Sequence, residues 1–238
     1  MTGTNGCIAA GQNHLGRPGD VALPSGAPRS SVRRAVWAMG FVGLAAVALG
    51  WAACQELSGL GLLDGSSQVS LPALEQWQLA VARANVLHVA TLVAAAVAVL
   101  SWLSRLVDNT PRLGGGQPSV TPRWAILCWF VPIASQFKPY QVTADLWRRL
   151  ASGPAEAAVG LVRAWWILWV VGGIADYAIV WLPAPTNLAD ARLQLEADAL
   201  ALGLQAIAGV LLVVVIRELE RRALARLEPT LAGYRRGT

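Results

Sequence analysis

Residues 124–137 read Trp-Ala-Ile-Leu-Cys-Trp-Phe-Val-Pro-Ile-Ala-Ser-Gln-Phe, and the reading of this stretch decides the fold. It carries no charge, yet it is only 14 residues long. As a straight helix it reaches about 21 Å at a rise of 1.5 Å per residue. The hydrocarbon core of a bilayer needs roughly 30 Å. Pro132 removes a backbone donor near the middle and predicts a bend. The stretch is therefore expected to dip in and return on one side, or to lie at the interface. Irregular backbone at such a depth must be covered by protein or water, so neighbouring helices are expected to shield it.

Four longer apolar runs flank it, at 35–54, 84–103, 164–182 and 199–216. Each is long enough to span. The first lies too far from the N-terminus, and is too long, for a cleaved leader. Arg33-Arg34 and Cys54 only faintly resemble export and lipidation signals, so the run is read as an anchor. The whole chain of 238 residues agrees: 55% hydrophobic, 14% charged, mean hydropathy +0.48. Soluble domains carry roughly a quarter charged residues. A soluble enzyme, a nucleic-acid binder and a disordered chain are thereby excluded.

The basic residues orient the runs. Lys138 is the only lysine, so the net charge of +5 is an arginine pattern. If 124–137 returns to its own side, one face holds Arg17, Arg29, Arg33, Arg34, Arg105, Arg112, Arg123, Lys138, Arg148, Arg149 and Arg163. The same face holds Arg217, Arg221, Arg222, Arg226, Arg235 and Arg236, 17 in all, and leaves only Arg83 and Arg192 opposite. If 124–137 crosses, the division becomes 8 against 11. The positive-inside rule selects the first arrangement, with both termini cytoplasmic in a multi-pass cell-membrane protein. Glu56, Asp64, Glu75, Asp190, Glu196 and Asp198 then fall in outer loops. The expected fold is an all-α integral membrane bundle. It has four spanning helices, one short re-entrant or interfacial segment, and an amphipathic surface helix.

Residues 1–30 are rich in Gly, Pro, Ser and Asn and read as a disordered cytoplasmic tail. The membrane domain covers 31–226, and 227–238 form a C-terminal tail. After Pro139, the residues Tyr140, Ala144, Trp147 and Ala151 share one side of a helix, while Gln141, Asp145, Arg148, Arg149 and Ser152 take the others. That pattern suits a helix lying on the inner membrane surface, apolar side down, ended by Gly153-Pro154. Small residues at Gly40, Gly43 and Gly50, and at Ala199, Gly203, Ala206 and Gly209, suggest close helix packing or a homodimer.

One block of motifs stands out. Trp102-Leu103-x-Arg105-x-x-x-Asn109 is followed by Pro122-x-Trp124-Ala125 and Trp129-Phe130-Val131-Pro132-Ile133. Lys138-Pro139-Tyr140-Gln141, Leu146-Trp147-Arg148 and Trp165-Trp166-x-x-Trp169 complete it. Over roughly 36–226 the chain resembles the domain-of-unknown-function 4328 family. That resemblance implies a polytopic, mainly actinobacterial inner-membrane protein, with no activity and no site residue to carry over. Cys128 and Ser135-Gln136-Phe137 depart from the family pattern, where small residues and Asn are commoner.

Read physically, the block forms an inner tryptophan belt, because indole is apolar with one N–H that needs a wet partner. The sharper alternative is an aromatic wall around an anionic lipid, with Arg105, Arg123 and Lys138 at its head group. A second candidate site lies inside the bundle. Asp176 and His88 are the acid and the histidine within the runs, and Asn85 and Arg83 are their expected partners. Cys7, Cys54 and Cys128 have no metal or redox spacing. No nucleotide loop, nucleophile elbow or zinc motif is present in the sequence, so no cofactor, no metal and no enzymatic activity are expected. The leading expectation is a scaffold, assembly or partner-binding subunit, homo-oligomeric or bound to another membrane protein, and no nucleic-acid contact. The alternatives are a small transporter or channel-like protein using His88 and Asp176, and an inner-leaflet lipid binder.

Overall fold

The computed structural model describes residues 28–64, 70–154 and 158–236. The tail expected at 1–30 lies outside the described residues as far as residue 27, as do Cys7 and Arg17. The elements are α1 (Val32–Asp64), α2 (Leu71–Asn109), α3 (Pro122–Leu127), a 3-10 turn (Ala134–Gln136), α4 (Lys138–Arg149), α5 (Gly160–Val180) and α6 (Leu188–Arg236). Among the described residues there is no strand. Four helices, α1, α2, α5 and α6, are long and apolar enough to cross a membrane.

The chain runs up and down. α1 packs against both α2 and α6, and α5 packs against α6. The start of α1, the end of α2, α3, α4 and the start of α5 gather at one end, called here the terminal end. The opposite end carries Ser70 and the Pro183–Asn187 turn and is called the hairpin end. α5 has 21 residues and α1, α2 and α6 have 33, 39 and 49. At 1.5 Å per residue α5 is about 31 Å long and the others about 50, 58 and 73 Å. The acids assigned to outer loops therefore stand on helices instead. Glu56 and Asp64 belong to α1, Glu75 to α2, and Asp190, Glu196 and Asp198 to α6. A charge does not end a helix; the loss of backbone partners does. α6 begins only where Asn187 Oδ1 accepts the Asp190 N–H at 2.9 Å and Asp190 Oδ2 receives Asn187 Nδ2 at 2.9 Å. That reciprocal cap follows the turn that Pro183 and Pro185 enforce. At the other terminus α6 continues to Arg236, so the tail expected at 227–238 is helical as far as that residue.

Alanines carry the close packing. Ala35, Ala38, Ala45 and Ala52 are all at least 95% buried on the inward side of α1. Of the glycines of that helix, Gly40, Gly43 and Gly50 face open space. On α6 only Gly209 of the expected pair of glycines is pressed, and a Cβ there would sit 3.0 Å from Ala46 Cβ. In lipid, dispersion between close backbones supplies the adhesion. The tightest approach of a helical glycine among the described residues is on α5, where a Cβ on Gly172 would lie 2.8 Å from Gln205 Cγ and 3.1 Å from Ala201 O. Gly173, one residue on, has nothing within 4 Å. Gly172→Ala is expected to lower stability by about 1–3 kcal/mol through overpacking. Gly173→Ala is expected to be neutral or mildly stabilising through helix propensity. Thermal unfolding in detergent separates them, and equal midpoints would refute the packing.

The stretch 124–137 is not a continuous helix. α3 ends at Leu127, a turn covers 128–133, and a 3-10 turn leads into α4. Its two flanks are tied together: Asp145 Oδ2 accepts the Ser119 N–H at 2.9 Å, and Arg149 Nη1 donates to Gly115 O at 3.4 Å. The stretch thus leaves and rejoins the same end of the bundle. α4 differs from its expected pose. Val142, Ala144, Leu146 and Trp147 are at least 96% buried within the protein, so the bundle itself covers the apolar side.

Candidate functional site

The motif block resolves into a clasp at the terminal end. Trp102 is 1% exposed and donates its indole N–H to Glu220 Oε2 at 3.1 Å. Ser31 Oγ donates to the other oxygen of Glu220 at 2.8 Å. Asn109, seven residues along α2, grips the backbone of Arg29 from both sides: Oδ1 accepts its N–H at 3.2 Å and Nδ2 donates to its carbonyl at 2.6 Å. Seven residues are two helical turns, so Trp102 and Asn109 share one face of α2. They fasten the beginning of α1 to the late turns of α6.

A second fastening holds α4. Arg222 is 5% exposed, donates to Trp147 O at 3.1 Å and lies 4.1 Å from the Trp147 ring centroid. Its Nε donates to Glu218 Oε1, one turn back on α6, at 2.8 Å. Arg226 donates to Ala151 O at 2.7 Å. Both guanidiniums thus satisfy carbonyls at the C-terminus of α4, where positive charge is favoured. Burial pushes the Asp145 carboxyl up, but the Arg149 and Ser119 N–H groups outweigh it and hold the carboxyl below its ordinary range.

The tryptophans divide in two. Trp124 is 40% exposed, and Pro132, Gln141 and Arg148 are exposed with it. Pro139 is buried and Tyr140 half-buried. Lys138 is engaged by Gln141 at 3.0 Å, and Arg105 lies beside Arg29, Arg34 and Arg112. Trp129, Trp165 and Trp166 turn inward, with Trp129 edge-on to Trp166 at 6.1 Å and Trp166 edge-on to Trp165 at 5.3 Å. Trp166 donates its N–H to Gln136 O at 3.2 Å, which pins the broken stretch against α5.

Trp129 and Trp165, with Trp169, also line a cavity of about 80 Å³ at the centre of the bundle. Gln205, 5% exposed, is on the same wall. Trp129 Nε1, Trp165 Nε1 and Gln205 Nε2 are all buried with no acceptor among the described residues. A water needs about 10–15 Å³ in this measure, so the space admits several.

Towards the hairpin end, each of the four long helices contributes one sheltered acid or histidine. These are Glu56 on α1, His88 on α2, Asp176 on α5 and Asp198 on α6. Glu56 and Asp198 line one cavity there, and Asp176 lies close enough to His88 to interact with it. Arg83 and Asn85, the partners expected for His88 and Asp176, are exposed instead. The inward stripe of α2 is Ala84, His88, Thr91, Ala95, Val99 and Trp102. Arg83 and Asn85 flank Ala84, about 100° round the helix to either side. Glu56, Asp198, Gln205 and Glu220 were missed. The first two were assigned to outer loops, and Gln205 and Glu220 were given no role; their helical spacing from the apolar runs was the available signal. Among the described residues, no group of three or more His, Cys, Asp or Glu side chains has metal-site geometry. Cys54 and Cys128 are free.

Four helices long and apolar enough to cross a membrane, packed around a largely hydrocarbon core that holds a few polar groups and fastened at one end by buried tryptophan and arginine, define an all-helical bundle of the multi-pass membrane class. Residues 66–221 match the family described as domain of unknown function DUF4328, and the chain belongs to that family. The match takes in the whole motif block and leaves α1 outside it. No curated protein and no solved structure matches the chain.

Proposed function

We propose that the protein is a non-enzymatic, transporter-like membrane protein that binds a small solute within its four-helix bundle. The observation that carries this reading is the placement of Glu56, His88, Asp176 and Asp198, one buried or half-buried ionisable group from each long helix, towards the same end of the bundle. Sheltered ionisable groups in apolar spans are costly and mark solute or proton paths. Gln205 lies seven residues beyond Asp198, about 10 Å along α6, so the central cavity continues the same axis. A scaffold needs neither the charges nor the space. The 17-to-2 distribution of basic residues supports a cytoplasmic terminal end, a re-entrant 124–137 and contact with anionic lipid there.

The test is a current measurement on proteoliposomes adsorbed to a solid-supported membrane. A panel of amines, carboxylates, zwitterions and sugars is perfused. At least one class should give a transient current above protein-free liposomes, and Asp176→Asn should abolish it. Silence across the panel would end this reading and return the scaffold, to be sought as a stably co-purifying partner. Orientation has its own check. Single cysteines replacing Ser119 and Ser152, in a background without Cys7, Cys54 and Cys128, should share one accessibility to an impermeant maleimide. Labelling of one from outside and the other only from inside would make 124–137 a true span.

A further inference from the structure

At the hairpin end, α1, α2 and α6 overrun α5 and line an open cavity of about 490 Å³. Its walls include Leu63, Leu74, Val81 and Trp77, and two carboxylates, Glu56 and Asp198. Glu56 is 9% exposed. It has no hydrogen bond or ion pair to any described residue, and no Lys or Arg is among the described residues lining the cavity. A carboxylate sheltered to this degree is retained only when something neutralises it. Trp77 is held in the wall by its N–H, which donates to Gln55 O at 2.9 Å. The ring lies so close to α1 that a Cβ on Gly59 would be 2.9 Å from its Cζ2.

We propose that this cavity is a binding site for an organic cation with an apolar body, such as a substituted ammonium. The inference rests on the solute-binding function above and names the class of solute. Two carboxylates supply the counter-charge, and the aliphatic walls take the body. Trp77 adds an indole, the aromatic group that attracts cations best. A hydrated metal ion does not suit the site. Divalent cations demand six or more oxygen ligands, and here the walls are largely hydrocarbon.

The experiment uses the full chain in lipid nanodiscs, with benzyltrimethylammonium as probe and neopentylbenzene, its uncharged isostere, as comparison. Binding is read by equilibrium dialysis. The wild type should prefer the cation over the isostere by about tenfold or more, the scale of one desolvated charge pair. Glu56→Gln and Asp198→Asn should each remove most of that preference and leave isostere binding unchanged. Glu75→Gln, an exposed acid of α2 outside the cavity, should keep it. Equal binding of cation and isostere by the wild type would overturn the proposal without needing any variant to fold. So would retention of the preference in both cavity variants, or its loss in Glu75→Gln. If dialysis fails while another solute class gives currents, only this inference falls. If the panel is silent as well, the solute-binding reading falls with it.

Discussion

Replacing Trp102 by alanine is expected to destabilise the bundle by about 3–5 kcal/mol, the scale of a buried tryptophan truncation. The side chain is 1% exposed, so the space it leaves has no solvent or lipid to fill it. Its indole N–H is also one of the two donors that the described residues give the buried Glu220 carboxylate, the other being Ser31 Oγ. Truncation thus opens a cavity and half-strips an acid in the same step. Trp102→Phe separates the two terms. It keeps most of the packing and removes only the N–H, for which about 1–3 kcal/mol is expected. Unfolding in mixed detergent micelles, followed by circular dichroism, gives both values. A Trp102→Ala loss below that of Trp102→Phe would show that the clasp is not where the terminal end is fastened.

Arg222→Ala is expected to have the second largest effect, about 3 kcal/mol. The guanidinium holds a helix-end carbonyl of α4 at 3.1 Å, stacks 4.1 Å from the Trp147 ring and pairs with Glu218 at 2.8 Å. A charged hydrogen bond is worth about 1.5–3 kcal/mol, and a desolvated cation–π contact about 2 kcal/mol. These terms overlap, because one side chain makes them together. Arg222→Lys should recover less than half, since an ammonium cannot lie flat on the indole while reaching both oxygens. The loss should be local. Amide exchange in 138–151 should accelerate in Arg222→Ala while the inward turns of α1 and α6 stay protected. Arg221, whose side chain is 60% exposed, is the control, and Arg221→Ala should leave that exchange unchanged. Uniform acceleration through the bundle would show that α4 is not a separately docked element.

The spans were legible because lipid imposes a crude requirement: about twenty apolar residues per crossing, in any order. The break at 124–137 was legible for a related reason, since 14 residues with a central proline cannot cross. Helix ends were not, because the sequence reading stopped each helix where its apolar run met a charge. Glu56 and Asp198 were placed in loops by that rule, yet the backbone continued past both until a cap or a turn ended it. The side of a helix was read less well than its extent. Arg83, Asn85 and His88 looked like one cluster along the chain, and only His88 falls on the inward stripe. The Trp102–Asn109 spacing could be seen but not interpreted, because its partners, Arg29 and Glu220, are 80 and 118 residues away from Asn109 and Trp102.

The unequal helix lengths also set how the protein sits in membranes of different thickness. α5, at about 31 Å, is the only one of the four long helices that ends near the edge of a typical hydrocarbon core. It carries aromatic side chains at both limits. Trp165, Trp166 and Trp169 stand near its start, and Tyr177 and Trp181 near its finish, edge-on at 6.0 Å. Tyr177 and Trp181 are 65% and 72% exposed, free to rest among head groups. α1, α2 and α6 have helix to spare in either direction, so they tolerate a thicker or thinner leaflet without unwinding. α5 acts as the gauge. A bilayer a few ångströms thicker must thin around it or tilt it, at a fraction of a kcal/mol per ångström. Any tilt of α5 is passed directly to Asp176, the residue before Tyr177.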